Sequence, residues 1–226
     1  MPHRNDDRRR AGCRTQRDAL LMLRRGLFEA DPGGALPLAD EIVACGTQDG
    51  VQLYPAWARF FQGVVAAQDT DPRPGIAIMR HVRQALHANK VELFAPIHLY
   101  HLAAAHRRCG EHDIAFGLIE EGIRTAETTG ERMFEAELYR LLGELQLEVG
   151  RVEPGEAALT TATAVAQRQH ARLWELRAAA ALARHWGENG STAAARDLLV
   201  PVYGWFSEGL DTADLQRARL LLERLH

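Results

Sequence analysis

Four histidines stand close together in the chain: His98, His101, His106 and His112. On a helix, His98 and His101 would share a face, and two imidazoles so placed can hold one metal ion. No carboxylate or cysteine stands at ligand spacing with them, and Cys109 falls on a different turn. Packed or solvent-facing imidazoles are therefore expected, and no metal. His81, His87 and His185 are scattered. Cys109 has Arg107 and Arg108 beside it, and a guanidinium facing a thiol would favour the thiolate. The alternative is a small apolar residue next to a turn glycine, Gly110. The run Tyr203-Gly204-Trp205-Phe206 is either a docking patch or core beneath a last helix bearing Leu215, Ala218, Leu221 and Leu222. Larger catalytic patterns are missing. There is no GxxxxGK[ST] phosphate loop, no GxGxxG after a strand, no HExxH and no GxSxG. The expectation is a protein that is not an enzyme and needs no cofactor.

The bulk composition limits the remaining classes. The formal charge is −3 over 226 residues, with 46% hydrophobic and 25% charged residues. That is ordinary for a globular chain and gives no reason to expect a nucleic-acid or membrane partner. Three separated cysteines, Cys13, Cys45 and Cys109, form no CxxC and no disulfide framework, which fits a cytoplasmic protein. No apolar run approaches the roughly 18 residues of a membrane span. Residues 1–15, rich in arginine but broken by Asp6 and Asp7, are expected to be a flexible tail.

The elements that would position any site are announced by a repeat. From Tyr54, steps of forty residues give Phe94, Phe134 and Trp174, all aromatic. Leu53, Leu93, Met133 and Leu173 precede them. Gly63, Ala103, Gly143 and Ala183 are all small, and so are Gly75, Ala115, Gly155 and Ala195. Gly110, Gly150 and Gly190, with Thr70, fall where a turn is needed. Met79, Ile119, Leu159 and Leu199 are large and apolar. Small residues let two helices approach closely, glycine accepts the positive φ that ends a helix, and the large series fills the space between pairs.

The repeat predicts first helices over 51–69, 92–109, 132–149 and 173–188, and second helices over 73–89, 112–128, 153–169 and 192–207. A more degenerate pair fits 17–29 and 35–47, and a final helix over 212–224 would cap the end. The fold expected is all-α: a right-handed tetratricopeptide-like solenoid of about five helix pairs, covering residues 16–226, plus a capping helix.

The small–turn–small spacing, with the pair Leu142-Gly143, resembles the tetratricopeptide repeat. The step of forty is longer than the usual period of about 34 residues. The segments EAELYRLLGELQL (135–147), WELRAAAALAR (174–184) and AARDLLVPVYGWFSEGLDTADL (194–215) resemble the C-terminal helical region of large bacterial signalling proteins. Those carry an adenylate/guanylate cyclase or winged-helix output domain and an ATPase domain ahead of such repeats. The resemblance implies a sensing or scaffolding arm and no cyclase chemistry.

In tetratricopeptide-like repeats the first helices line a concave groove. The positions facing it would be Trp57, Phe60, Val64 and Ala67, then Ile97, Tyr100, Ala104 and Arg107. Glu137, Arg140, Glu144 and Leu147 follow, and then Arg177, Ala180, Arg184 and Gly187. Trp57, Phe60 and Tyr100 would make an aromatic end and Arg140, Arg177 and Arg184 a basic one, suited to a peptide with an apolar anchor and a carboxylate. Two readings stand. Either these residues meet a partner, or Trp57 and Phe60 are covered by the first repeat and the arginines pair with Glu137 and Glu144. The function expected is protein or peptide binding. The alternatives are a small-ligand sensor using the same groove, or a relative of cyclase proteins that lacks their catalytic domain. An exposed end repeat also leaves homodimerisation open.

Overall fold

The computed structural model describes residues 17–18, 21–22, 32–45 and 53–225. The expected tail, residues 1–15, and most of the helix expected over 17–29 lie outside the described residues, as do Cys13 and Ala30. Among the described residues the chain is all-helical and has no strand. Its helices are α1 (Pro32–Cys45), α2 (Leu53–Ala66), α3 (Arg73–Ala88), α4 (Ala95–Arg108) and α5 (His112–Thr129). After a 3-10 turn at Arg132–Phe134 come α6 (Glu135–Glu148), α7 (Val152–Arg168), α8 (Arg172–Glu188), α9 (Thr192–Tyr203) and α10 (Ala213–Arg224). No helix among the described residues is long and apolar enough to cross a membrane.

The helices fall into two compact units. The first holds the described residues up to Phe94 together with Ala105–Glu111, and the second holds Ala95–Ala104 and the chain from His112 onward. In the first, α3 shows how the sequence makes a helix. Pro74 stands in its first turn, where no backbone donor is needed. Ile76, Met79, Val82 and Leu86 then recur at helical spacing and are buried. Met22, Ala35, Ala39 and Ile42 form a core with Ala58 and Phe61 of α2. Ala35, which continues the small series, is fully buried there.

Each first helix meets its second helix at a small-residue pair. A methyl group added to Gly63 would lie 3.0 Å from the carbonyl oxygen of Gly75, and one on Gly143 would lie 2.8 Å from that of Gly155. Ala103 and Ala115 share one core in the second unit, with Ile119, Leu138, Leu141 and Leu145. Ala183 and Ala195 share another with Leu176, Leu199, Leu215 and Leu225. The large series Met79, Ile119, Leu159 and Leu199 has no exposed surface.

The hairpin turns are equally regular. Gly110, Gly150 and Gly190 have φ of +72°, +77° and +84°. At each, the amide after the glycine donates back to the helix: Glu111 to the His106 carbonyl at 3.0 Å, Arg151 to Gln146 at 2.8 Å and Ser191 to Trp186 at 2.8 Å. This is the Schellman closure, which satisfies carbonyls that the helix end would leave bare. A second such series was not read from the sequence. Lys90 and His170 have φ of +58° and +55°, and Gly130, forty from each, has +77°.

The tightest pair gives the first prediction. A methyl group at Gly75 would sit 2.3 Å from the backbone nitrogen of Ala67, whereas one at Gly117, inside α5, meets nothing within 4 Å. Gly75→Ala is expected to cost at least 1–3 kcal/mol through overpacking against rigid backbone. Gly117→Ala is expected to stabilise by about 0.5–1 kcal/mol by removing a helix-interior glycine. Urea denaturation of the two variants beside the wild type checks both signs.

Candidate functional site

Within the second unit, residues from four helices meet around one buried carboxylate. Glu137 of α6 is 1% exposed. Its Oε1 accepts from Arg140 Nε at 2.9 Å. Its Oε2 accepts from Arg140 Nη2 at 3.0 Å, from the Tyr100 hydroxyl at 3.2 Å and from Arg177 Nη1 at 3.4 Å. Arg140 also donates to Glu144 Oε1 at 2.6 Å and to the Tyr100 oxygen at 2.8 Å. Arg177 of α8 donates through Nε to Asp214 Oδ2 of α10 at 2.8 Å, and Arg217 reaches the other Asp214 oxygen at 2.7 Å.

The spacing explains the convergence. Glu137, Arg140 and Glu144 are three and four residues apart, so they form one stripe of α6. Tyr100 and Arg140 are forty apart, as are Glu137 and Arg177. The repeat therefore brings equivalent turns of α4, α6 and α8 together. Carboxylates and guanidiniums balance: Glu137, Glu144 and Asp214 against Arg140, Arg177 and Arg217. Their side chains reach from the closed interior at Glu137 to the surface at Arg217, which is 67% exposed.

Burial sets the protonation states. Burial pushes the Glu137 carboxyl up, but the Arg140 guanidinium, then Arg177 and the Tyr100 hydroxyl, outweigh it and hold the group below the usual carboxylate range. Arg140 and Arg177 lose solvation, yet Glu137 keeps both firmly charged. Burial drives the Tyr100 phenol up, so it keeps its proton. His101, whose ring packs edge-on to Tyr100 at 5.1 Å, is lowered to about 4 by burial, with Glu137 opposing. At neutral pH the cluster thus presents fixed charges, one protonated phenol and one neutral imidazole.

The predicted groove residues divide. Tyr100, Arg140, Glu144 and Arg177 come together in this network, with Glu137 at its centre. Arg184 stands exposed on α8 and Ala180 and Gly187 are half-buried there. Ala104 and Leu147 are half-buried in the same unit, and Ile97 is buried. In the first unit Trp57 is 8% and Phe60 4% exposed, and Val64 and Ala67 are also buried. The Trp57 ring lies 4.7 Å from Phe94 and 5.7 Å from Tyr54. This corrects the expectation of an open aromatic pocket: the rings of Trp57 and Phe60 are core. Arg107 is half-buried in the first unit.

The histidines go to separate environments. His98 is buried, and His106 bonds Glu111 at 2.5 Å across the Gly110 turn. His112 stands 4.0 Å from Glu148. Among the described residues no group of three potential ligands could hold a metal ion. Cys109 is a half-buried free thiol. Tyr203 and Phe206 pack on the core beneath α10, but Trp205 is 59% exposed with the Arg172 guanidinium 5.5 Å over its ring. The patch reading and the core reading of that run thus each describe part of it. Sequence reasoning missed Asp214 and Arg217. The signal was available, because Asp214 lies forty residues after Trp174 in the aromatic series.

Removing the centre of the network should be far more damaging than trimming its edge. Glu137→Gln is expected to cost about 3–5 kcal/mol, since it leaves two guanidiniums in the interior without their shared carboxylate. Tyr100→Phe is expected to cost about 1 kcal/mol. The acid limb separates two groups. The His101 imidazole is lowered in the folded chain, so the unfolded chain takes its proton first and stability falls as pH drops from 6.5 towards 4. Glu137 is depressed, so its contribution is present above the ordinary carboxyl range and lost as pH falls below it. A His101→Phe variant is expected to show a smaller loss between pH 6.5 and 4 in pH-resolved urea denaturation, with the later loss retained.

With this geometry in view, comparison with known proteins adds no identity: no protein-family model matches the chain, and no curated protein matches it.

Proposed function

We propose that this chain is a non-catalytic interaction module that binds a protein or peptide along its first helices. The architecture proposed is a right-handed tetratricopeptide-like solenoid, and within the second unit α4, α6 and α8 carry the recognition face. The observation that supports this most is the cluster itself. Tyr100 and Arg140 hold one repeat position, Glu137 and Arg177 another, and the four meet on one side of α4, α6 and α8. That is the behaviour expected of a common face. The resemblance to the C-terminal arms of bacterial cyclase–ATPase and winged-helix–ATPase proteins supports a sensing or scaffolding role, in a cytoplasmic setting.

The chemistry refines the partner. Arg140 and Arg177 already hold carboxylates, so a lone anionic group gains little from them. A polypeptide bringing both donors and acceptors suits the paired Glu144 and Arg140 of α6 and the exposed Arg184 of α8, forty residues on from Glu144. With Trp57 and Phe60 in the core, an apolar anchor at that end is not part of the proposal.

Affinity capture from a lysate of the source organism tests this. The full chain serves as bait beside an Arg184→Glu, Glu144→Gln variant whose helicity matches by circular dichroism. Proteins held by the wild type and lost from the variant support the face assigned here. An identical set on both baits removes that assignment, and no retained protein on either counts against an interaction module.

A further inference from the structure

The last helix is attached differently from the others. In the second unit the hairpin connectors 149–151, 169–171 and 189–191 have three residues each, whereas nine residues, Gly204–Thr212, lead into α10. Most of that connector is exposed, and Gly209 within it has φ +67°. Asp214 ties α10 to α8 through Arg177, while Arg217 and Arg219 bond carboxylates within α10 itself. The apolar contact is compact. Leu215, Ala218 and Leu225 pack with Leu176, Ala179 and Ala183 of α8 and with Ala195 and Leu199 of α9. Leu225 fills the notch at Gly187, where a methyl group would come within 2.4 Å of it.

The register of α10 shows what it stands in for. It begins forty-one residues beyond the start of α8, in the place of a further first helix, and Asp214 takes the position held by Tyr54, Phe94, Phe134 and Trp174. An aromatic there is core: Phe134 and Trp174 are buried, 5.4 Å apart. An aspartate instead reaches the Arg177 guanidinium, which also serves Glu137. A helix held by one acid and a few leucines, at the end of a long glycine-bearing connector, is held as a ligand is held.

We infer that α10 is a displaceable strap over a helix-docking site formed by α8 and α9, an inference that rests on the proposed reading of this unit as an interaction module. The site centres on Arg177 and the Gly187 notch. Its external ligand is an amphipathic protein helix with an acidic residue directly before an apolar anchor and a second leucine about ten residues on. Asp214, Leu215 and Leu225 are the in-chain model of that pattern. Because the resident helix must leave first, the apparent affinity for an external helix is reduced by the fraction of chains in which the site is open.

A fluorescein-labelled peptide of residues 210–226, titrated into the full chain and followed by anisotropy, tests this. Asp214→Asn and Leu225→Ala each loosen the strap and leave α8 intact. Each is expected to bind the peptide at least tenfold more tightly than the wild type. In the wild type, α10 amides are expected to exchange hydrogen faster than those of α8. Adding Arg177→Gln to the Asp214→Asn chain is expected to abolish the gain. If the two loosened chains, shown helical by circular dichroism, bind no better than the wild type, the strap is overturned. The same holds if the gain survives Arg177→Gln, or if α10 and α8 exchange together. None of these three results bears on the face of α4, α6 and α8, which the capture experiment decides separately.

Discussion

Backbone contact between paired helices is the constraint on which the rest depends. Where Gly63 faces Gly75 and Gly143 faces Gly155, a single methyl group would collide with a carbonyl oxygen. At that distance the large residue four positions after the second glycine, Met79 or Leu159, lies across its partner helix and is fully buried. The alanine pairs Ala103/Ala115 and Ala183/Ala195 do the same work with slightly more room. Close approach also fixes rotation, because only one face of each helix is small enough to meet its mate. Once rotation is fixed, every other stripe of each first helix is fixed too. Tyr100, Arg140 and Arg177 have no freedom to point elsewhere.

The polar network is a consequence of that register and adds a cost of its own. Burying Glu137 would be prohibitive without Arg140 on the same helix, and burying Arg140 would be so without Glu137 and Glu144. Each charge is admitted because another arrives at the same place, three, four or forty residues away. Such a network is poor value as stabilisation, since apolar side chains of equal volume fill a core with no solvation to lose. Its geometry is exacting, however: the Tyr100 hydroxyl accepts from Arg140 and donates to Glu137 only if α4 and α6 sit in one register. A slip along the helix would strand a charge, so the network penalises alternatives more than it rewards the native pairing.

The helices were legible in the sequence because the repeat encodes backbone demands that few residues satisfy. The glycines at 110, 150 and 190 and the small pairs twelve residues apart could be read directly. The second left-handed series could not, because Lys90 and His170 hold a conformation that their side chains do not advertise, and only Gly130 marks it. Phe94 is similar, at φ +66° just ahead of α4. At the candidate site, the residue types gave the positions and, as one of two readings, Glu137 and Glu144 as partners of the arginines, but not Asp214. Arg140 and Arg177 read equally well as open cations or as ion-paired ones. Burial decides between those, and burial depends on neighbours forty residues away. Trp57 and Phe60 likewise read as open or covered, and burial shows them covered. A first helix at the edge of a repeat is covered or bare according to what packs on it, and the degenerate first pair left that unreadable.

Asp214 shows how one substitution in a repeat changes the meaning of an element. Four aromatics hold one position at or just ahead of the starts of successive first helices, and a fifth would commit α10 to the same buried contact that Trp174 makes with Phe134. An aspartate cannot enter such a contact without a cation. It finds one in Arg177, which already faces Glu137, so the shared guanidinium couples α10 to α6 through α8. Among the exposed residues of α10, Leu220 stands with Gln216, Arg217, Arg219, Glu223 and Arg224, so burying that side under another helix pair would desolvate three guanidiniums. The ion pair that seats α10 and the polar surface that faces outward are thus two results of replacing an apolar pattern with a charged one. Each removes a reason for a further helix pair to stack there, while the apolar residues Leu215 and Leu225 keep α10 itself in place.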